Sequence, residues 1–418
     1  MTTAHVTTGP GRRTLIGGAA ALTAGAFSAL PLTGARAQAA NTIRIGVLSD
    51  MSGPYRDATG PGSVVCTQLA AQEFAGRGFN VEVIQADHQN RPDVGSTIAR
   101  QWYDQGVDAI VDVPTSSVAF AVNTIARERN KVFLNSGAAS SDLTGPQCSP
   151  NTVHWTYDTY MLAKGTGDAI VRTGGQSWFF ITADYAFGHA LQRDVSRFVE
   201  AAGGRVVGAA RYPFPQTTDF SSFVVQAQAS RAQVLGFANA SLDTVNSIKA
   251  AREFGLHRSM RFAALLMGLV DVHALGLAEA EGLLLTESFY WDLNDRTRRL
   301  STRVRPLNQN RPPAMVQAGC YGATLHYLKA VADMGVAAAK ADGRAAVARM
   351  KAMPTDDDAF GAGSIRADGR KLHPVYLFQV KGPRESSGTW DYYRVAATTS
   401  AEDAWRPLAE GGCPLVRT

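Results

Sequence analysis

Two short apolar runs, residues 109–113 and 132–134, flank a segment of helical spacing within the stretch 107–145. The apolar positions of that segment share one helix face and are Val118, Ala121, Val122 and Ile125. This pattern predicts a strand–helix–strand unit, in which the two strands lie parallel and the loops that follow them meet at one edge of the sheet. Ligands of open α/β sheets bind in the crevice at that edge. The stretch therefore favours a parallel α/β fold and indicates where a binding site would lie.

Small polar or compact residues follow both of these predicted strands. Thr115, Ser116 and Ser117 come after the first strand. There, hydroxyls and unpaired backbone N–H groups at the start of a helix favour an anion such as a carboxylate. The alternative is that these hydroxyls only cap the helix, which is the simpler interpretation of this stretch taken alone. The second strand opens into a loop of small residues that includes Ala138 and Ala139.

Strand and helix alternate along most of the 418-residue chain, which is too long for one compact core. The predicted strands are residues 43–48, 81–84, 109–113, 132–134, 178–182, 206–210, 234–238, 262–266 and 283–286. Such alternation predicts parallel sheets with helices on both faces. Near the C-terminus, segments 374–380 and 390–395 alternate differently and predict an antiparallel hairpin. The predicted fold class is α/β, with two doubly wound parallel-sheet lobes joined by a multi-strand hinge.

The chain crosses between the two predicted lobes more than once. Residues 38–157 and 287–370 are assigned to the N-terminal lobe, and residues 158–286 and 371–405 to the C-terminal lobe. Residues 406–418 remain as a C-terminal tail. Because each lobe combines segments that are distant in sequence, several strands must connect the two lobes.

The N-terminal segment 1–37 predicts an export signal that is separate from the fold. Arg12 and Arg13 precede an apolar run rich in Gly and Ala, and residues 35–37 form a small-x-small cleavage site. Paired arginines point to the Tat route, and no cysteine follows the cleavage site to carry a lipid. An N-terminal membrane anchor is the weaker alternative, because Pro31 interrupts the run. We therefore expect a mature chain that is free in the periplasm.

Charge and motifs exclude several classes of function. Removal of Arg12, Arg13 and Arg36 with the signal would leave 38 of the 41 basic side chains against 36 acidic ones. Without a basic run, this balance argues against nucleic acid as a partner. The chain has no zinc-ligand spacing, P-loop, complete GxGxxG or GxSxG motif. We therefore expect no metal, no cofactor and no catalytic nucleophile.

The four cysteines fall into two groups by local sequence. Cys66 and Cys320 lie in apolar, helix-like stretches and are predicted to be buried thiols. Cys148 and Cys413 lie among Pro and Gly residues, and we predict a disulfide between them, since an oxidising compartment permits one. Sequence alone allows three pairings of four cysteines.

Four segments carry a resemblance to a known family. They are residues 43–54 (IRIGVLSDMSGP), 133–145 (FLNSGAASSDLTG), 182–191 (TADYAFGHAL) and 281–291 (EGLLLTESFYW). With the export signal and the two α/β lobes, they make the chain similar to the type I periplasmic solute-binding proteins of ABC importers. The most similar branch is the leucine/isoleucine/valine-binding group, and the resemblance covers about residues 42–400 by the rough boundaries that such a comparison permits.

In proteins of this family the ligand lies between two lobes that close on a hinge. The resemblance implies that the Ser116 region and the backbone of Ala138 and Ala139 hold a carboxylate, and that Phe187 is a pocket aromatic of the second lobe. Tyr55, on the first loop, is a plausible third wall. The predicted ligand-binding residues all lie in loops after strand ends and are Tyr55, Thr115, Ser116, Ser117, Ala138, Ala139, Tyr185, Phe187, Asn239 and Glu287.

One departure from the family pattern bears on the ligand. Amino-acid binders of the family place an acid just after a strand of the second lobe, where it accepts the ligand ammonium. The corresponding stretch here, residues 263–267, has no carboxylate, and an ammonium buried without a partner is costly. Asp243 or Glu287 could substitute from another direction. Because aromatic residues cluster at 185–187 and 289–291, we predict an organic acid without an α-amino group, aromatic acids included, with an amino acid or amide as the alternative.

The resemblance also implies partners. A monomeric capture protein of this kind delivers its ligand to an ABC permease in the inner membrane. A sensor that hands the ligand-bound form to a membrane receptor is the alternative. An enzyme is disfavoured, since the chain lacks a motif for a nucleophile or a cofactor.

Overall fold

Two parallel sheets organise residues 41–416, the part of the chain that the computed structural model describes. They confirm the predicted α/β class with two doubly wound sheets. The predicted export signal at 1–37 lies outside the described residues. Within the described part, no helix combines the length and the apolar character needed to cross a bilayer.

The helices lie between and beside the strands in the expected alternation. The α-helices of the described residues are α1 (Gly60–Gln72), α2 (Pro92–Asp104), α3 (Ser116–Glu128), α4 (Thr159–Leu162), α5 (Asp168–Arg172), α6 (Ala186–Ala201), α7 (Ser221–Ser230), α8 (Leu242–Glu253), α9 (Leu269–Leu275), α10 (Leu277–Ala280), α11 (Asp295–Val304), α12 (Met315–Met334), α13 (Val336–Ala341) and α14 (Gly343–Ala352). A π-helical turn, Ala163–Gly167, joins α4 to α5. Short 3-10 turns lie at Ser141–Thr144, Leu256–Arg258, Arg305–Leu307 and Leu408–Glu410.

The first sheet has five parallel strands in the order β2-β1-β3-β4-β5. The strands are β1 (Thr42–Ser49), β2 (Asn80–Asp87), β3 (Ala109–Asp112), β4 (Val132–Asn135) and β5 (Thr152–His154). Side chains of β1 alternate between the two faces, so that Ile45 and Val47 join the core with α1 and α12, while Leu48 joins the core with α2 and α3. The predicted strand–helix–strand unit is therefore β3-α3-β4, at the centre of a sheet covered on both faces.

The second sheet has four parallel strands in the order β7-β6-β8-β9. The strands are β6 (Ser177–Ala183), β7 (Arg205–Tyr212), β8 (Val234–Ala238) and β9 (Arg261–Ala264). Phe180 of β6 faces a core that includes Leu191 of α6, whereas Phe179 faces the core built with α7 and α8. All seven residues of β6 are buried, because helices cover this central strand on both faces.

The last strand predicted for the parallel series belongs to a different, antiparallel sheet. Residues 283–286 were expected to continue that series, but β10 (Leu284–Glu287) pairs antiparallel with β13 (Val375–Val380). β13 in turn pairs with β14 (Tyr393–Thr399), which gives a separate sheet in the order β10-β13-β14. β14 begins after the predicted start at 390, since Trp390 has a φ of 78°, outside the extended region of a strand. A two-stranded ribbon of β11 (Ser364–Ile365) and β12 (Lys371–Leu372) precedes the hairpin.

The long helix α12 ties the C-terminal half of the chain to the first sheet. It packs against α1, and nearly all of its side chains up to Val331 are buried. The helix ends where Gly335 adopts a φ of 87°, a conformation that glycine reaches at little cost. Cys66 of α1 and Cys320 of α12 are buried free thiols.

The C-terminal tail is linked covalently to the loop that precedes β5. Cys148 and Cys413 form a disulfide with a Cα–Cα distance of 5.7 Å across 265 residues of sequence. The same region is held by Arg406, whose Nη2 donates a hydrogen bond to the carbonyl of Ser141 at 2.8 Å. The tail therefore packs against the body of the protein.

Candidate functional site

A cavity lies where the loops at the carboxyl ends of the two parallel sheets face each other. It contains about 550 Å³ of empty space, part of it open to solvent. The first sheet and its loops contribute Tyr55, Ala58, Thr59, Pro114, Gly137 and Tyr157. The second sheet and its loops contribute Tyr185, Phe187, Ala240, Ser241, Leu266, Gly268, Leu269, Val270 and Asp271. Glu287 at the end of β10 and residues 314–316 at the start of α12 complete the wall.

Tyrosine hydroxyl groups join the two sides of the cavity. The hydroxyls of Tyr55 and Tyr185 lie 2.6 Å apart and share a hydrogen bond, although the two residues follow strands of different sheets. Burial raises the pKa of both tyrosines above the ordinary value, so both hydroxyls are protonated near neutral pH. A third hydroxyl, that of Tyr157, donates to the carbonyl of Gly137 at 2.7 Å. These contacts describe an arrangement in which the two halves of the site are already in contact.

The starts of two helices also face the cavity. Tyr185 is the N-cap residue of α6 and Ser241 is the N-cap residue of α8, and neither side chain bonds to the first turn of its helix. The first-turn N–H groups and the positive end of the helix dipole therefore remain available to an anion. No Lys, Arg or His side chain is among the lining residues of this cavity. A ligand carboxylate would thus depend on backbone N–H groups rather than on a basic side chain.

Two buried carboxyl groups lie at one end of the cavity. A Cβ atom built on Gly268 would lie 3.8 Å from Oδ2 of Asp271 and 3.9 Å from both carboxyl oxygens of Glu287. Asp271 accepts a hydrogen bond from the N–H of Gly268 at 2.8 Å, whereas Oε1 of Glu287 has no hydrogen-bond partner among the described residues. The pair is therefore a place where a donor group on the ligand would be accepted.

The environment of these two acids shifts both pKa values upward. Burial raises the pKa of Glu287 to about 8, with the Tyr393 hydroxyl acting in the opposite direction and the neighbouring Asp271 adding to the rise. Burial likewise raises the pKa of Asp271 to about 7, against the effect of the Gly268 N–H. Near neutral pH, Glu287 is therefore mainly in its protonated form.

The structure brings four of the sequence-predicted site residues together and places the other six elsewhere. Tyr55, Tyr185, Phe187 and Glu287 line the cavity. The six that do not line it are Thr115, Ser116, Ser117, Ala138, Ala139 and Asn239.

The hydroxyls after β3 belong to a hydrogen-bond network inside the first lobe. Thr115 donates to Oδ1 of Asn90, and Oγ of Ser116 accepts from the N–H of Ser140 at 3.2 Å. Both Thr115 and Ser116 are fully buried, and Ser117 is half-buried on α3. Their neighbour Pro114 reaches the cavity wall instead.

Backbone groups of the loop after β4 are also hydrogen-bonded to other groups of the protein. The N–H of Ala138 donates to Oδ1 of Asn135 at 3.0 Å, so it is not free to hold a ligand carboxylate. The carbonyl of Ala139 accepts from the N–H of Thr159 at 2.8 Å. In this loop, Gly137 is the residue that lines the cavity.

Asn239 and Asp243 are also occupied by internal contacts. The amide of Asn239 donates to Oγ of Ser247 at 3.0 Å, and its Oδ1 accepts from the Thr244 hydroxyl at 2.8 Å. Asp243 accepts from the Tyr212 hydroxyl at 2.7 Å, and burial raises the pKa of Asp243 to about 6. Neither side chain lines the cavity, which the adjacent Ala240 and Ser241 do.

The lining residues absent from the sequence prediction include neighbours of predicted residues, such as Pro114, Gly137 and Ser241, and two further groups. Leu266 and residues 268–271 follow the strand β9, so the rule that sites lie after strand ends could have identified them. Residues 314–316 have no such signal, because they lie at the start of a helix that no strand of the parallel series introduces. Their place in the wall follows only from the packing of α12.

Known proteins resemble this chain both in sequence and in fold. A family model described as "Periplasmic binding protein" matches residues 42–388. The chain is similar to a solved periplasmic binding protein from Burkholderia mallei, with 44% identity, a TM-score of 0.86 and coverage of 90% of this chain and 100% of the other. It is also similar to a solved branched chain amino acid ABC transporter periplasmic ligand-binding protein from Burkholderia xenovorans LB400, with 36% identity, a TM-score of 0.75 and coverage of 89% and 99%.

A curated relative is more distant. The Leu/Ile/Val-binding protein homolog 4 of Brucella abortus (strain 2308) is 27% identical over 250 residues. The match covers 55% of this chain and spans only 58% of the length of that relative.

Proposed function

We propose that this chain, which belongs to the periplasmic binding protein family, captures a small organic acid in the cavity between its two lobes and delivers it to the permease of an ABC importer. The observation that carries the proposal is the cavity itself, which is built jointly by loops from both parallel sheets. A site that neither lobe forms alone is suited to capture by closure. Opening the lobes would expose it, and closing them would surround the ligand.

The ligand drives closure only as far as it binds the closed form better than the open form. In the closed arrangement Tyr55 from one side meets Tyr185 from the other, and Phe187 covers the body of the ligand. The first-turn N–H groups of α6 and α8 would receive the oxygens of the acid. The groups of Ser116 and Ala138 do not enter this proposal, because each of them is bonded inside the first lobe.

The preferred ligand is an organic acid without an α-amino group, aromatic acids included. The wall is made mainly of Tyr, Phe, Leu, Met and Val side chains and offers no basic group. An apolar or aromatic body gains by burial there, at roughly 25 cal/mol for each Å² removed from water.

An amino acid is the second candidate, and the acid pair favours it. Oε1 of Glu287 lacks a partner and lies close to Asp271, so an α-ammonium group could be received by both. The stretch 263–267 has no acid, yet the fold supplies acids from α9 and from the end of β10. The similarity to a branched chain amino acid transporter protein points in the same direction.

Matched ligand pairs separate the two candidates. Calorimetry would compare leucine with 4-methylpentanoate, and phenylalanine with 3-phenylpropanoate, since the members of each pair differ only in the amino group. Tighter binding of the acids without the amino group supports the preferred ligand class, and tighter binding of the amino acids supports the second. If no acid or amino acid binds or raises the thermal unfolding temperature, the proposed function is wrong, because a ligand that binds the folded state must stabilise it.

The variant Glu287→Gln tests whether the acid pair of Glu287 and Asp271 accepts the ligand ammonium. It keeps the shape of the side chain and removes its ability to ionise, so that it cannot supply the carboxylate that an ammonium group would induce. If the ligand ammonium lies at the acid pair, the variant should weaken leucine binding by about ten-fold or more and leave 4-methylpentanoate within a factor of about three, because a hydrogen bond to a charged group is worth about 1.5–3 kcal/mol. Equal losses for both ligands would exclude this placement.

The partners and the location belong to the same proposal. We place the mature chain in the periplasm as a monomer, exported by the Tat route through Arg12 and Arg13. Replacing both arginines by lysine should leave the chain in the cytoplasm, as measured by fractionation. Delivery to a transporter, rather than to a sensor, predicts that loss of the adjacent permease genes abolishes uptake of the ligand while capture by the purified protein is unchanged.

A further inference from the structure

Phe214 lies outside the cavity wall but against the two tyrosines that close it. The residue sits in the connection between β7 and α7 and is half-buried. Its ring is stacked on that of Tyr185, with centroids 4.5 Å apart and planes 18° apart, and on that of Tyr55, with centroids 5.2 Å apart and planes 21° apart. Tyr55 follows β1 of the first sheet, whereas Phe214 and Tyr185 belong to the second lobe. The three rings form a contact between the lobes, which we call the aromatic clasp.

Both sides of the clasp are anchored by short hydrogen bonds. The loop that carries Tyr55 is held by Asp50, which accepts from the N–H groups of Gly53 at 2.6 Å and Tyr55 at 2.8 Å. The turn that carries Phe214 is closed by Thr217, whose N–H and hydroxyl both donate to the carbonyl of Pro213, at 3.2 and 2.7 Å. Tyr55 and Phe214 are therefore each presented by a constrained loop, so that separation of the lobes must break the stacking of Phe214 on Tyr55.

We propose that Phe214 stabilises the closed arrangement of the two lobes through the aromatic clasp and thereby sets how slowly a captured ligand leaves. The inference rests on the proposed function, since it concerns release from the same cavity. The Tyr55–Tyr185 hydrogen bond and the stacking of Phe214 on Tyr55 are made together when the lobes meet and are lost together when they part, whereas the stacking of Phe214 on Tyr185 lies within the second lobe. Phe214 does not line the cavity, so it makes no contact with the ligand. It therefore acts by lengthening the lifetime of the closed form.

The test compares Phe214→Ala with Phe223→Ala. Phe223 is an equally half-buried phenylalanine of α7, and it contacts Tyr212 and Phe220 within the second lobe instead of the clasp. Stopped-flow fluorescence would give association and dissociation rates for leucine, 4-methylpentanoate, phenylalanine and 3-phenylpropanoate, the four probes of the matched pairs. We expect Phe214→Ala to raise the dissociation rate by about ten-fold or more with little change in the association rate, as is usual within one binding site.

Two further results decide the interpretation. Phe214→Tyr keeps the ring and should restore a slow dissociation rate. If Phe214 had a purely structural role, Phe214→Ala would lower the unfolding temperature without changing the dissociation rate. Phe223→Ala should leave the dissociation rate within a factor of about two. An unchanged dissociation rate in Phe214→Ala, or an equal rise in Phe223→Ala, would overturn the inference.

A second measurement applies without any ligand. Spin labels on cysteines introduced at Thr97 of α2 and Gln226 of α7 report the separation of the lobes, because the native Cys66 and Cys320 are buried. Phe214→Ala should shift the distance distribution towards the longer, open separation. If the wild-type protein binds no ligand, the proposed function fails while this measurement still decides the clasp. Identical distributions in the wild type and the variant would then refute it.

Discussion

Glu287 should contribute to the pH dependence of the stability of the folded protein, and Glu287→Gln should remove that contribution. The carboxyl group is 2% exposed, and burial raises its pKa from 4.5 to about 8. Between these two values the folded state holds a proton that the unfolded state has released. The free energy of unfolding therefore falls as the pH rises, by about 1.4 kcal/mol for each pH unit per proton.

The size of the effect follows from the same shift. The contribution of Glu287 is fully present below pH 4.5, declines as the pH rises towards 8 and is lost above that value. The rise of about 3.5 pKa units corresponds to a total on the order of 5 kcal/mol, as an upper bound. Glutamine does not titrate, so the variant should gain stability relative to the wild type by about 3 kcal/mol between pH 5.5 and pH 8.5.

Urea unfolding at pH 5.5, 7.0 and 8.5 measures this difference directly. Glu281→Gln is the matched control, because it removes the same charge from an exposed position six residues earlier. The control should follow the wild-type curve at every pH. If the gap between Glu287→Gln and the wild type stays constant from pH 5.5 to pH 8.5, the assignment of Glu287 as a buried acid with a raised pKa is refuted.

Three further perturbations test other parts of the structure. Tyr55→Phe keeps the ring and removes the hydrogen bond to Tyr185, so ligand affinity measured by calorimetry should fall about two- to ten-fold; no loss would mean that the closed form does not need this bond. Cys413→Ser opens the 265-residue loop and should lower the free energy of unfolding by about 2–5 kcal/mol, whereas an unchanged urea midpoint would contradict a stabilising disulfide. Gly137→Ala places a Cβ atom 2.6 Å from Cα of Pro114, so the loop must move and affinity should fall by about ten-fold or more; wild-type affinity would show that the loop adapts.

Much of the architecture could be predicted from local pattern. Apolar runs of four to eight residues alternating with helical spacing specify buried parallel strands covered on both faces, because the side-chain periods of strand and helix differ. The same reasoning explains why Tyr55, Tyr185 and Phe187, which the sequence predicts as ligand-binding residues, line the cavity: each follows the carboxyl end of a parallel strand, and those ends meet at one edge. Local turn composition likewise suggested the Cys148–Cys413 pairing that the structure contains.

Which polar residues line the cavity could not be predicted from the sequence pattern. Ser116 and Ala138 have the right residue types in the right loops, yet their partners Ser140 and Asn135 are set by how the loops fold against each other. A hydroxyl or an N–H group looks the same in sequence whether it faces a neighbour or a cavity. The choice depends on distances that only the folded chain defines.

The sequence by itself determined the class of the fold, the sheet edge at which the cavity lies and the apolar character of the cavity wall, since hydrophobic periodicity and the succession of strands and helices along the chain are local properties. The tertiary structure decided that β10 leaves the parallel series to pair with β13, and that its last residue, Glu287, meets Asp271 beside Gly268. It also brought the start of α12 and the ring of Phe214 to the site. These groups are far apart in the chain, and their contacts arise only when separate cores pack together, because no local pattern encodes the packing of distant surfaces.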